Sequence, residues 1–182
     1  MSHAGRALID PFSVFEKIGL TKGMKVADMG CGRTGHFVFP AAKIVGENGV
    51  IYAVDILKDV LENINSWIKI RALNNIQVIW SDIEATDKTP IPPKSLDIGL
   101  FVNVLFGIKN KQATLAEAAR LLKDDGKIVI IDWIKKLGTL GPTDDIRLDP
   151  KKMIETAVQC NLELIQNTSL SDYHYCLIFK KV

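Results

Sequence analysis

The chain has 182 residues, 47% of them hydrophobic and 24% charged, and it carries a formal net charge of +2. These values are typical of one domain with a sizeable core, and the small net charge gives no electrostatic reason to expect nucleic acid or a membrane surface as partner. The three cysteines form no Cys-x-x-Cys pair, and neither a signal peptide nor a membrane-spanning apolar stretch is evident, so we expect a cytoplasmic protein without metal sites or disulfides.

Short apolar segments alternate with amphipathic helical segments along most of the chain. Strands that alternate with helices predict a mostly parallel sheet, and two consecutive final strands predict an antiparallel hairpin at one end of it. In the first half of the chain, the pattern predicts a leading helix at residues 11–20, a strand at 25–29, a helix at 36–45, a strand at 49–54, a helix at 59–73 and a strand at 76–80. A loop at 86–94 follows, and then a strand at 96–102, a helix at 112–122 and a strand at 127–131. The last part is predicted to contain an irregular loop at 137–149, a helix from Pro150 to about residue 161, and strands at 162–166 and 173–179.

A glycine-rich segment follows the first predicted strand. Gly30, Gly32 and Gly35 match the pattern G-x-G-x-x-G, and Asp55 comes 20 positions after Gly35, at the end of the next strand. Glycines allow a tight turn and a close approach of a ligand to the backbone, and an acid at the end of the second strand can accept both hydroxyls of a ribose. The pattern therefore predicts an adenosine-type ligand, and by itself it fits dinucleotide-binding enzymes equally well.

Asp28 lies two residues before this loop and narrows the choice of ligand. A carboxylate at that place would repel a bound pyrophosphate, whereas it would attract the sulfonium and ammonium groups of S-adenosylmethionine. The structural alternative is an acid that is simply solvated at a strand end. The three glycines and Asp55 make that alternative less favourable.

Five segments in order then resemble the motifs of class I S-adenosylmethionine-dependent methyltransferases. The run V-A-D-M-G-C-G-R-T-G-H-F resembles the first motif, and Y-A-V-D and W-S-D-I are similar to the ribose and adenine motifs. Residues 96–105 and 119–127 resemble the fourth-strand motif and the approach to the fifth strand. Within the family, the chain looks most like the small-molecule methyltransferases of ubiquinone and menaquinone biosynthesis.

The resemblance implies a single-domain α/β fold with a doubly wound, Rossmann-like, seven-stranded sheet. The sheet would be mostly parallel with an antiparallel C-terminal strand, and helices would cover both faces. The domain would fill residues 1–182, with a leading helix segment at 1–22, a cofactor-binding core at 23–133 and a C-terminal helix and hairpin at 134–182.

The resemblance also implies which residues hold the cofactor, S-adenosylmethionine. Its methionine part would lie against the glycine loop, its ribose at the acid after the second strand, and its adenine beside the third strand. The predicted contacts are Asp28, Gly30, Gly32 and Gly35 to the methionine part; Cys31 and Thr34 through backbone and small side-chain contacts; Asp55 to the ribose; Ile56, Ser81, Asp82 and Ile83 around the adenine; and Asn103 near the amino acid end or the transferred methyl group.

No catalytic residue can be assigned from the sequence, because displacement at a sulfonium needs a base only when the acceptor must lose a proton. Asp132, after the fifth strand, is a candidate base or substrate anchor, or else a solvated acid. His36 is a candidate contact, although a packing role at the helix start is favoured. Further candidates for the edge of a substrate pocket, or for ordinary packing, are Arg147, Tyr173, His174 and Tyr175.

The methyl acceptor is predicted by elimination. The sequence has no Asn-Pro-Pro-Tyr motif, no Pro-Cys pair and no basic stripe, which disfavours nucleic acid and leaves a small molecule. Three alternatives stay open: a protein or RNA acceptor, a nicotinamide-dependent oxidoreductase and a non-catalytic interaction module. The oxidoreductase is disfavoured because no Tyr-x-x-x-Lys pair occurs. An oligomer is possible.

Overall fold

A computed structural model describes residues 8–182; residues 1–7, the start of the predicted leading segment, lie outside the described part. Seven strands form one sheet in the order β3-β2-β1-β4-β5-β7-β6. The strands are β1 Lys25–Met29, β2 Val50–Asp55, β3 Ile76–Trp80, β4 Leu96–Val102, β5 Leu122–Trp133, β6 Leu162–Ser169 and β7 His174–Lys181. The helices are α1 Pro11–Ile18, α2 Val38–Val45, α3 Lys58–Ile70, α4 Lys111–Leu121 and α5 Pro150–Val158, with one 3-10 turn at Leu105–Gly107.

All strand pairs are parallel except those of β7, which runs antiparallel to both β5 and β6. This arrangement confirms the predicted mostly parallel, seven-stranded sheet with an antiparallel C-terminal strand. Strands β1, β2 and β3 follow one another from the centre of the sheet to one edge, and β4 and the later strands lie on the other side of β1. A crevice therefore opens at the carboxyl ends of β1 and β4, where ligands bind in folds of this type.

Helices cover both faces of the sheet, as predicted. One core layer packs side chains of α1, α2 and α3 against the sheet, and the other packs α4 and α5 against the opposite face. Ile98 and Leu100 of β4 belong to the first layer and Phe101 to the second. Because central strands are buried on both faces, they consist of apolar runs rather than alternating patterns, and this is why their positions could be predicted.

The strand β5 starts earlier than predicted. It begins at Leu122 instead of residue 127, because Leu122 pairs with Leu96 across a register shift in β4. Gly126 allows this close pairing, since a Cβ there would lie 3.0 Å from the carbonyl oxygen of Leu96. The Lys-Asp-Asp-Gly sequence at residues 123–126 is typical of a turn, and for this reason the predicted start of β5 was too late.

The helix α5 begins as the sequence indicated. Pro150 occupies its first turn, and the Asp149 side chain caps it by accepting a hydrogen bond from the Lys151 N–H at 2.9 Å. Within residues 8–182, no helix has both the length and the apolar character needed to cross a bilayer. The subdivision of the chain into leading, core and C-terminal segments stays a prediction.

Candidate functional site

A cavity of about 340 Å³ opens at the carboxyl ends of β1, β2 and β4. Eight of the twelve residues predicted to contact a cofactor line it, while Asp28, Cys31, Thr34 and Gly35 do not. Its lining consists of Gly30, Gly32, Asp55, Ile56, Leu57, Val60, Ser81, Asp82, Ile83, Glu84, Asn103, Val104, Gly107 and Ile108.

The glycine loop adopts a backbone that other residues rarely adopt. Gly30, Gly32 and Gly35 have φ values of +79°, +68° and +56°. A Cβ on Gly30 would also lie 2.6 Å from the Cγ2 atom of Val104, a residue of the cavity wall. Gly30 is therefore required both for its backbone angle and for the shape of the cavity. Cys31 is buried and Thr34 is exposed.

The carboxylate of Asp55 connects two loops. Its Oδ2 accepts a hydrogen bond from the Gly32 N–H at 3.1 Å, and its Oδ1 accepts one from the Leu57 N–H at 3.0 Å. The residue is 9% exposed. Each carboxylate oxygen can accept more than one hydrogen bond, so Asp55 can hold these loops and still accept from a ligand hydroxyl.

Asp28 at the end of β1 is 1% exposed, so the reading of it as a solvated strand-end acid is wrong. It is flanked by Ala53 on β2 and Leu100 on β4. Its carboxyl group is thus buried in the central part of the sheet, directly before the glycine loop. The protein keeps a carboxyl group in its interior at this place although burial makes it costly.

Apolar walls flank the part of the cavity beside β3. Ile83 is 8% exposed, whereas Ile56 presents 51% of its surface to solvent at the mouth. The Trp80 indole N–H donates to the Ile56 carbonyl oxygen at 2.9 Å and so orders the segment after β2. The sequence analysis missed this role of Trp80, because a tryptophan at the end of an edge strand gives no signal of it.

A second feature missed from the sequence supports the same wall from behind. Glu117 of α4 accepts hydrogen bonds from the backbone N–H groups of Asp87 and Thr89 and forms an ion pair with Arg120. The Thr89 hydroxyl in turn lies 3.1 Å from that of Ser81, which lines the cavity. Burial raises the pKa of Glu117, but its hydrogen bonds to Arg120 and the two backbone N–H groups outweigh this and lower the pKa to about 2.

Buried polar groups gather at the ends of β4, β5 and β7. Asp132 is fully buried, which contradicts the prediction of a solvated acid. Burial raises its pKa to about 7, although the Trp133 and Phe106 N–H groups and Lys111 oppose the shift. Tyr175 pairs with it across the strands, and its pKa is raised by burial and by the charges of Asp132 and Asp149. Neither Asp132 nor Tyr175 lines the cavity.

The other sequence candidates lie away from the cavity. The Nε2 of His36 is 2.8 Å from the Ile9 carbonyl oxygen, which ties the segment before α1 to the glycine loop. Arg147 forms an ion pair with Asp144, and the Lys135 ammonium lies over the Tyr173 ring. Among residues 8–182, no group of three or more His, Cys, Asp or Glu side chains is placed to hold a metal ion.

The charged side chains that line the cavity are of one sign. Asp55, Asp82 and Glu84 line it, and its described lining includes no lysine, arginine or histidine. The Asp82 carboxylate accepts from the Glu84 N–H, and the Glu84 carboxylate accepts from the Asn110 N–H. Such a cavity favours a cationic ligand and disfavours a pyrophosphate.

Comparisons with known proteins agree with this geometry. Residues 20–169 match the family described as "Methyltransferase domain". The chain is 30% identical to aklanonic acid methyltransferase DauC of Streptomyces sp., and the match covers 83% of this chain and 65% of that protein. It is also 30% identical to the ubiquinone/menaquinone biosynthesis C-methyltransferase UbiE of Shewanella pealeana, and that match covers 66% of this chain and 47% of the relative. It thus spans 65% and 47% of the length of these two curated relatives. The fold matches a SAM-dependent methyltransferase from Aquifex aeolicus with a TM-score of 0.89 and 23% identity, covering 100% of this chain and 94% of that one.

A first prediction concerns Gly30. We expect both Gly30→Ala and Gly138→Ala to lower the free energy of unfolding by about 1–2 kcal/mol, because both positions have positive φ. Only Gly30→Ala should also weaken the binding of S-adenosylhomocysteine in calorimetry, since a Cβ at Gly138 meets nothing within 4 Å. Equal affinity of the two variants would contradict the assignment of Gly30 to the site.

A second prediction concerns Glu117. Its pKa is lower in the folded protein than in the unfolded chain, so its stabilisation is present above about pH 4.5 and is lost as the pH falls toward 2. Glu117→Gln should therefore lower the free energy of unfolding by about 1–3 kcal/mol at pH 7, and the difference from wild type should shrink below pH 4.5. The exposed Glu62→Gln serves as the control in urea unfolding, and a pH-independent loss for Glu117→Gln would refute the argument.

A third prediction concerns Asp132, whose pKa is raised instead. The folded protein then binds more protons than the unfolded chain between about pH 4 and 7, so the residue lowers stability as the pH rises through this window. Asp132→Asn should raise the melting temperature at pH 8 and change it little at pH 4.5, since an Asn oxygen still accepts from the Trp133 N–H. The exposed Asp125→Asn should show no such pattern, and equal destabilisation of Asp132→Asn at both pH values would rule the account out.

Proposed function

The chain belongs to the family of S-adenosylmethionine-dependent methyltransferases, and from that premise we propose that it transfers the methyl group of S-adenosylmethionine to a small-molecule acceptor. The observation that carries the proposal is the charge of the cavity. Three carboxylates line it without a basic side chain among the described residues. A cationic cofactor suits this lining, whereas the pyrophosphate of a nicotinamide dinucleotide does not.

The residues that line the cavity fit this cofactor at its ribose and its adenine, and Gly30 and Gly32 of the glycine loop lie at its other end. Asp55 offers a buried, pre-oriented carboxylate for the ribose hydroxyls, and Ile83 and Ile56 offer apolar surface for the adenine. Asp82 lies beside them as an acceptor for the adenine amino group. The glycine loop would face the methionine part, with the enclosed carboxyl group of Asp28 directly before it. The assignment of each contact is part of the proposal.

Bound S-adenosylmethionine supplies a methyl group on a sulfonium that is already activated for displacement. The work left to the chain is to align the two reactants and to exclude water. The backbone constraint at Gly30 and the two hydrogen bonds to Asp55 make the cavity pre-organised for that task. An acceptor that keeps its proton until the transfer would need a base; Asp132 has a suitable pKa but lies outside the cavity lining.

The names of two relatives favour a small acceptor. DauC is named for methylation of aklanonic acid and UbiE for methylation in ubiquinone and menaquinone biosynthesis. A protein or RNA acceptor remains the alternative, and labelling distinguishes the two.

The fourth prediction tests the cofactor assignment. Asp55→Asn should weaken the binding of S-adenosylhomocysteine about tenfold, roughly 1.4 kcal/mol, because a charged hydrogen-bond acceptor is lost. Asp125→Asn, an exposed site on β5, should bind within twofold of wild type. Unchanged affinity in a folded Asp55→Asn variant would show that the ribose is held elsewhere.

The acceptor class is tested by transfer of a radiolabelled methyl group. The protein is incubated with labelled S-adenosylmethionine and a cell extract that is then separated into small molecules, protein and RNA. The proposal predicts label in the small-molecule fraction, reduced with Asp55→Asn. Label in the protein or RNA fraction would contradict it.

A further inference from the structure

Asn103 is the first residue after β4 and lines the cavity, and its backbone is held in place. It adopts a positive φ of +51°, an angle that asparagine tolerates better than most residues. Its N–H donates to the Ile131 carbonyl oxygen at 2.8 Å. With the backbone held by this hydrogen bond, the atom that Asn103 offers to the cavity depends on how its amide is turned.

The amide of Asn103 has one partner among the described residues, His174. The Asn103 Nδ2 lies 3.2 Å from the Nε2 of His174, whereas its Oδ1 has no hydrogen-bond partner in the described part of the chain. His174 is fully buried, and burial lowers its pKa to about 4. The imidazole is therefore neutral at pH 7, with one ring nitrogen available as an acceptor.

The imidazole itself is held from its other side. Its ring packs on the Trp133 indole with centroids 4.2 Å apart, and Gly141 packs against Trp133 so closely that a Cβ there would lie 2.9 Å from the indole. These contacts fix the ring of His174 independently of any ligand. A ring fixed in this way orients the neighbouring amide according to which of its two nitrogens carries the proton.

We infer that His174 is a positioning residue for the cofactor: its Nε2 accepts a hydrogen bond from the Asn103 amide and thereby leaves the Asn103 oxygen to accept from the methionine part of the ligand. The opposite orientation would present an NH₂ group to a cationic ligand, which is electrostatically unfavourable. The inference rests on the proposed function, because it requires S-adenosylmethionine in the cavity. His174 itself does not line the cavity.

Two ligands separate this role from a merely structural one. S-adenosylhomocysteine contains the amino acid part, and 5′-methylthioadenosine lacks it. His174→Phe retains a ring against Trp133 and removes the acceptor nitrogen, so we expect about tenfold weaker binding of S-adenosylhomocysteine in calorimetry and binding of 5′-methylthioadenosine within twofold of wild type. Tyr175→Phe is the matched control, since it removes a polar atom from a buried ring on the neighbouring position of β7 that does not line the cavity.

A double-mutant cycle completes the test. If His174 acts through Asn103, then Asn103→Ala should weaken binding of S-adenosylhomocysteine, and adding His174→Phe should weaken it little further. Fully additive losses, equal losses for both ligands or unchanged binding by His174→Phe would overturn the inference. If wild type binds S-adenosylhomocysteine, the proposed function survives such a result; if wild type binds neither ligand, both proposals fail.

A measurement on the unmutated protein covers the case in which His174→Phe does not fold. In ¹⁵N-histidine-labelled protein, the Nε2 of His174 should have the chemical shift of an unprotonated nitrogen from pH 6 to 8, with His36→Phe used to assign the spectrum. A protonated Nε2 would make it a donor, and the inference would be wrong.

Discussion

The buried carboxylate of Asp55 is the interaction on which the site depends. It accepts backbone hydrogen bonds from both the glycine loop and the segment that leads into α3. Both segments leave the carboxyl ends of neighbouring parallel strands, and the Gly30 and Cys31 N–H groups, which donate to the Val54 carbonyl oxygen, add a backbone link between them. Asp55 thus completes the connection across the cavity mouth and also offers an acceptor for a ligand hydroxyl.

The negative charge of this region constrains the ligand. Asp28 is enclosed at the end of β1, and the cavity lining adds carboxylates without a compensating basic residue among the described lining. The same topology in a dinucleotide-binding enzyme must accommodate a pyrophosphate at the glycine loop. The fold and the glycines are therefore common to dinucleotide-binding enzymes and to proteins that bind S-adenosylmethionine, and the acidic residues of this region distinguish the second class from the first.

Several residues that do not line the cavity hold its lining in place. Glu117 holds the segment around Thr89 from α4, and Thr89 contacts Ser81 of the cavity wall. On the other side, His174 holds Asn103. The cavity lining is thus braced from α4, through Thr89, at Ser81 and from β7 at Asn103.

The sequence predicted the parts of the molecule that depend on local patterns. The bounds of β1, β3 and β4 match, because a small or polar residue follows each of these largely apolar runs: Gly30, Ser81 and Asn103. The start of β5 did not match, because Leu122 pairs with Leu96 through a register shift. The pairs Glu117–Thr89 and His174–Asn103 join residues 28 and 71 positions apart. Contacts of this kind depend on helix packing and strand register, and one sequence contains no signal for them.

The most direct test of the account is a pair of calorimetric titrations of the wild-type protein, one with S-adenosylmethionine and one with NAD, at the same pH and ionic strength. An acid-lined cavity organised around Asp55 should bind S-adenosylmethionine at one site and show no measurable heat of binding with NAD. Binding of NAD without binding of S-adenosylmethionine would contradict the assignment of the ligand and, with it, the proposed methyl transfer.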